Sequence, residues 1–162
     1  MAFRIVLFIL LVGTISCQPG SPEVETSEEA PLLLDSLIIG KWENVSLTVD
    51  VATANSSDSS YTFLVPTGQW ENKLGIRPIQ TSFSENNTYR SEYYNLDDSL
   101  VRVAKGIWNT FTDTLLLIEA DGTYEYICRY RHPFMEFRSV LDWDGDGELD
   151  DTYMGVQQRV AE

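Results

Sequence analysis

The sequence of 162 residues holds one histidine and two cysteines, Cys17 and Cys128. That scarcity excludes a multi-histidine zinc site, a disulfide framework and most nucleophilic triads, each of which needs several such side chains. Basic residues are also few, 11 Lys and Arg against 25 Asp and Glu, and the net charge of −14 excludes a protein that tracks a phosphate backbone. Long apolar runs are missing as well. The longest, Ile5 to Ile15, has eleven residues where a bilayer-spanning helix needs about 20. There is no Gly-rich phosphate loop. Cys128 and His132 form the one nucleophile–base pair, but positions four apart on a strand lie ~13 Å apart, against the ~3 Å of proton transfer. The chain is therefore expected not to be an enzyme.

What is present begins with 43% apolar and 12% aromatic residues, enough to bury a core. Arg4 followed by the apolar run reads as a signal peptide over residues 1–17. Its end, Thr14-Ile15-Ser16-Cys17, resembles the bacterial lipobox, with Thr14 where that motif usually has Leu. The resemblance implies that Cys17 is lipidated, so that the protein meets the membrane through its acyl chains. An ordinary secretory signal that leaves Cys17 as a plain thiol is the alternative. Gln18 in place of Asp resembles the sorting signal for the outer membrane of the cell envelope, with the periplasmic or surface face left open. Residues 18–31 are rich in Pro, Ser and Glu, hold Glu23, Glu25, Glu28 and Glu29 with no basic residue, and read as a disordered, self-repelling tether. The folded domain is expected over residues 32–162.

That domain reads as all-β. Beyond Leu37 no stretch of eleven or more residues keeps helical spacing, while several short stretches alternate at period two. Val45, Leu47, Val49 and Val51 share one face of a first strand, and Tyr124, Tyr126, Cys128 and Tyr130 share one face of another. Asp121-Gly122, set between Thr114–Ile118 and that tyrosine row, is a hairpin signal, because Gly accepts positive φ. Further strands are expected over Tyr61–Val65, Tyr89–Tyr94, Leu100–Trp108, Phe134–Leu141 and Thr152–Val160, with a short helical turn within Leu32–Ile39. Ser56 to Pro78, with Pro66, Gly68, Gly75 and Pro78, interrupts the pattern and reads as a long loop over one end. Eight or nine antiparallel strands in this length fit an up-and-down barrel or a β-sandwich.

Gly40-Lys41-Trp42 opens the first long strand and Arg159 lies near the end of the last. Together they resemble the lipocalin pattern, in which a basic residue covers the Trp of a Gly-x-Trp motif at the barrel base. Gly106-Ile107-Trp108, Asp113 to Leu117 and the tyrosine row before an Asp-rich turn look like the lipocalin-like domains of small lipoproteins from Bacteroidetes-type bacteria. The resemblance spans about Leu37 to Val160 and implies an up-and-down barrel of about eight strands closed by Trp42 and Arg159. Gly-x-Trp recurs at Gly68 and Gly106, at unequal spacings of 28 and 38 residues, which argues against a repeat. Strict alternation would place Trp42 on the face of Asn44 and Ser46, opposite Val45 and Leu47. Either a bulge after Trp42 switches faces or the interior is partly polar.

The sharpest chemical signal is Asp142 to Asp151, with six carboxylates: Asp142, Asp144, Asp146, Glu148, Asp150 and Asp151. Asp142, Asp144 and Asp146 stand at positions 1, 3 and 5 of the EF-hand spacing, with Gly147 at position 6, the Glu148 backbone carbonyl at position 7 and Asp150 at position 9. Position 12 falls on Tyr153, so Asp150 or Asp151 must replace the usual bidentate Glu. Hard oxygen donors without nitrogen or sulfur favour Ca²⁺ in a structural role. A solvated acidic turn is the alternative.

The resemblance implies a small hydrophobic or amphipathic ligand in the barrel, with Trp108, Tyr124, Tyr126 and Tyr130 as candidate contacts and Phe111 nearby. The other reading is an envelope module with a filled barrel, which binds a protein or polysaccharide through its loops. A monomer is expected.

Overall fold

A computed structural model describes residues 33–54, 57 and 59–161. The expected signal peptide, Cys17 and the tether lie outside these residues. A short helix α1 (Leu34–Ile38) precedes β1 (Gly40–Val51) and β2 (Tyr61–Val65). A second short helix, α2 (Trp70–Leu74), leads into β3 (Gln80–Phe83), β4 (Thr88–Tyr94) and β5 (Leu100–Phe111). The last four strands are β6 (Thr114–Ile118), β7 (Thr123–Arg131), β8 (Phe134–Leu141) and β9 (Asp151–Arg159). All pairings are antiparallel, in the order β2-β1-β3-β4-β5-β6-β7-β8-β9, and β1 also pairs with β9. β1 and β3 to β9 therefore form a closed eight-stranded barrel, with β2 as one extra strand, and the sandwich alternative falls away.

β1 is long because it serves three partners. Gly40 to Glu43 pair with β3 on one edge and Leu47 to Val51 pair with β2 on that same edge, while the other edge holds β9. The register shifts between Asn44 and Ser46, a bulge that places one extra residue, Val45, in β1. Trp42 and Asn44 are buried ahead of it, and Leu47, Val49 and Val51 after it. The bulge thus resolves the conflict in alternation, and the buried Asn44 makes the interior partly polar as well.

The expected loop at Ser56 to Pro78 contains two elements, β2 and α2. It lays Phe63, Val65, Trp70, Leu74 and Ile76 against Leu47, Val49 and Val51 as a second hydrophobic cluster. β3 escaped the sequence reading because four residues, three of them polar, cannot display a convincing alternation. A hairpin through Asp121-Gly122 joins β6 to β7 as expected, but Gly122 does not take a positive φ; four residues connect the strands, and Glu119 N donates to Gly122 O at 2.8 Å.

One end of the barrel is closed by Trp42, which is 0% exposed, and by α1. Trp42 and Arg159 are register partners, with the guanidinium 4.7 Å from the indole ring. The indole N–H donates to Ile38 O at 2.7 Å, while Arg159 Nη1 donates to Ile39 O at 2.7 Å and Nη2 to Leu37 O. Gly40 sits beside this cluster at φ 122°, where a side chain would be strained and would meet the Arg159 guanidinium. The arginine stacks on the indole and binds two carbonyls that the end of α1 leaves without helical partners.

Arg159→Ala is expected to destabilise the domain by about 2–4 kcal/mol, because two carbonyls lose charged donors and the indole loses its cover. Arg159→Lys should recover less than half of that, since an ammonium cannot reach both carbonyls in one plane. Urea unfolding followed by tryptophan fluorescence measures both variants.

Candidate functional site

The barrel interior holds a partly open cavity of about 250 Å³. Inward positions of all eight barrel strands reach it: Asn44 of β1, Thr81 and Phe83 of β3, Tyr89, Ser91 and Tyr93 of β4, Arg102 and Ala104 of β5, and Leu117 of β6. Tyr124 and Tyr126 of β7, Phe137 of β8, and Tyr153 and Gln157 of β9 complete the wall, with Glu119 from the turn after β6. Period-two alternation explains the set, because Tyr89, Ser91 and Tyr93 are spaced by two, as are Tyr153, Gly155 and Gln157. The sequence held those rows, but one row alone does not say which face is inside.

Of the expected ligand residues, Tyr124 and Tyr126 line the cavity and Trp108 and Tyr130 do not. Trp108 is buried in the closed-end core, 6.2 Å from the Phe83 ring, with its N–H on Ser84 O at 3.1 Å. Tyr130 meets Trp42 edge-to-face at 6.3 Å and bonds His132 Nδ1 at 2.9 Å. Phe111 is 78% exposed, because it stands three residues from the inward Trp108 and so faces out.

The wall is amphipathic. Tyr126 meets Phe137 at 6.1 Å and Tyr153 at 5.9 Å, each edge-to-face, and the Tyr153 hydroxyl lies over Gly155, where even a methyl group would overlap it. Tyr89, packed on Phe83, donates its Oη to Glu119 at 2.5 Å, and the Arg102 guanidinium lies 5.1 Å from the Tyr93 ring. Deeper in, Thr81 Oγ1 and Ser91 Oγ bond each other at 2.8 Å. Burial pushes the Tyr126 phenol up to about 12, helped by neighbouring tyrosines and Glu119, and pushes Tyr153 and Tyr89 up as well, Tyr89 also through its bond to Glu119. These phenols stay neutral at physiological pH, and Tyr89 uses its O–H on Glu119.

Cys128 is buried, bonded weakly to Tyr126 O at 3.8 Å, and its thiol is raised to about 12 by burial and then by Asp113. A raised thiol is a poor nucleophile. His132 bonds Tyr130 rather than Cys128.

The acidic loop between β8 and β9 brings three of its six carboxylates together. Single oxygens of Asp142, Asp144 and Asp151 lie within 4.8 Å of one another and can hold a metal ion. Backbone donors shape the group: Asp142 accepts from Gly145 N at 2.7 Å and Gly147 N at 3.0 Å, and Asp144 accepts from Asp146 N at 3.2 Å. Gly145 and Gly147 take φ of 78° and 97°, which the tight turn requires. Asp151, 1% exposed, accepts from Trp143 N at 2.7 Å and Ala52 N at 3.2 Å, tying the loop to the end of β1. The carboxylates of Asp146, Glu148 and Asp150 are not in this group. Asp150 accepts from Thr53 Oγ1 at 2.8 Å, Asp146 caps Glu148 N at 2.9 Å, and Glu148 is exposed. The Trp143 ring packs 5.7 Å from Phe63 and 6.5 Å from Tyr153, so the loop also leans on β2.

No protein-family model matches the chain, and no curated protein matches it with significance.

Titration of Tyr126 and Cys128 gives a pH test. Their protonated forms are favoured in the folded state, so the unfolded chain holds fewer protons between about pH 9 and 12. Stability is full below pH 9 and falls as pH rises through 12, which thermal unfolding across that range will record. Iodoacetamide at pH 8 should label Cys128 only after unfolding.

Proposed function

We propose that this protein is a non-enzymatic, lipocalin-like lipoprotein, held at the outer membrane through lipid on Cys17, which binds a small amphipathic ligand inside its barrel. The observation that supports the ligand is the wall of the 250 Å³ cavity, where aromatic faces from Phe83, Tyr126, Phe137 and Tyr153 stand beside phenol and amide groups. Rings supply apolar contact and the polar groups fix orientation, the usual division in a small-molecule pocket. The volume lies below the ~300–1,000 Å³ of drug-sized pockets, so the occupant is small. For the alternative of a filled barrel that acts through its loops, no single observation stands out as strongly.

Native mass spectrometry of the full chain extracted in mild detergent and exchanged into a detergent-free buffer is expected to reveal a bound species lighter than ordinary lipids. An empty barrel that also fails to take up small aromatic compounds would end this reading. Intact mass of the envelope-expressed protein is expected to show acyl chains on Cys17, and Cys17→Ser should release the protein into the soluble fraction.

We also propose that the loop from Asp142 to Asp151 binds Ca²⁺, with Asp142, Asp144 and Asp151 as the carboxylate ligands. Three hard oxygen donors at one point, in a loop shaped by Asp side chains on backbone N–H groups, fit calcium better than a softer metal. The ion would offset mutual repulsion of the carboxylates and fasten the β8–β9 connection to β1. At ten times its dissociation constant, Ca²⁺ should stabilise the domain by ~1.4 kcal/mol through linkage. EDTA should reverse that shift in melting temperature, and Asp144→Asn should remove it while leaving the metal-free melting temperature nearly unchanged. An identical melting temperature in Ca²⁺ and EDTA would overturn the site.

A further inference from the structure

The cavity is polar at one place where polarity is costly. Asn44 of β1 and Gln157 of β9 are register partners, both line the cavity, and Asn44 is only 6% exposed. Asn44 Oδ1 and Gln157 Oε1 are both buried with no hydrogen-bond partner. Their polar neighbours differ, since Thr81 and Ser91 satisfy each other across β3 and β4. A buried acceptor without a donor is destabilising, and an apolar residue of similar shape would remove that cost. Two such acceptors directly opposite each other, at the bottom of a cavity, mark a place where a donor belongs.

We infer that the ligand is an uncharged ring compound bearing an N–H donor group, such as a carboxamide or aromatic amine, with that group held between Asn44 and Gln157. The inference rests on the ligand-binding reading above and names the chemistry of its occupant. Arg159 stands two residues beyond Gln157 on the same face of β9, ~7 Å away, and disfavours an ammonium at the floor. The acceptor oxygens themselves disfavour an anion. A neutral donor is the species that both conditions admit, and Arg102 and Glu119, which also line the cavity, carry opposite charges that favour neither sign together. Above the floor, Phe83, Tyr126, Phe137 and Tyr153 form the apolar walls that take the ring.

The test uses the full chain, with binding of three probes followed through its tyrosine and phenylalanine resonances: benzamide, N,N-dimethylbenzamide and toluene. Benzamide is expected to bind about tenfold or more tightly than the other two, which offer a ring without the donor. Asn44→Leu and, separately, Gln157→Met should each abolish that preference and each raise the melting temperature of the ligand-free protein. A rise in stability with a loss of selectivity is what a purely structural amide pair would not give. If instead the variants lower the melting temperature, the two amides bond each other and the inference fails. Toluene binding as tightly as benzamide overturns the donor chemistry while leaving the barrel a ligand binder. If none of the three probes binds, the ligand-binding reading falls and this inference falls with it.

Discussion

The whole architecture depends on the one-residue bulge at Val45. β1 must cap the closed end with Trp42 and then, within five residues, present Leu47 to a separate cluster beneath β2 and α2. A regular strand with Trp42 and Asn44 inward would send Leu47, Val49 and Val51 outward. Inserting one residue reverses the faces, so both halves of the strand bury their apolar side chains while the pairing with β9 continues to Thr152. Closure of the barrel rests on that pairing, since β1 with β9 is the seam that joins the first strand to the last. A closed barrel has no free edge among its members, and the remaining edge of β1 beyond β3 is covered by β2.

The polar interior follows from the same bulge. Because the face switch comes after Asn44, this amide is kept on the inner face with Trp42, opposite Gln157. Had the extra residue come two positions earlier, Asn44 would have pointed to solvent. The position of the bulge therefore decides whether the cavity has a polar floor. The acidic loop works at the other end of β1, where Asp151 fixes Ala52 N and Asp150 takes Thr53. Both termini of one strand are thus pinned by residues of β9 or its approach, Arg159 at the start and Asp151 at the finish.

Much of this was legible in the residues, and the limits have physical causes. The rows Val45 to Val51 and Tyr124 to Tyr130, the Asp121-Gly122 turn and the boundaries of β6 and β8 could be read because long alternating strands and Gly-containing hairpins carry local signals. β3 was not, since Gln80–Phe83 is recruited by pairing with β1 and β4 rather than by its own pattern. Trp108 and Tyr130 were expected at a ligand and instead pack the closed end, because alternation assigns a face but not a height along the barrel. The carboxylate cluster was half legible. Spacing named the Asp residues, but Asp146 and Asp150 stand apart, Asp146 bonded to Glu148 N and Asp150 to Thr53 Oγ1. The pairing of Asn44 with Gln157 had no sequence signal, as it joins residues more than a hundred positions apart.

A separation of stability from specificity runs through the molecule. At the closed end the indole N–H bonds Ile38 O, and Arg159 bonds the carbonyls of Leu37 and Ile39. The cavity floor, one layer away on the same two strands, does not. Both regions are built from β1 and β9, with the bulge directly beyond the floor. The floor could be made more stable by an apolar pair, as Leu47 beside Gly155 is only a few residues along the same ladder. The unsatisfied pair within this seam is the observation on which the proposed ligand chemistry rests.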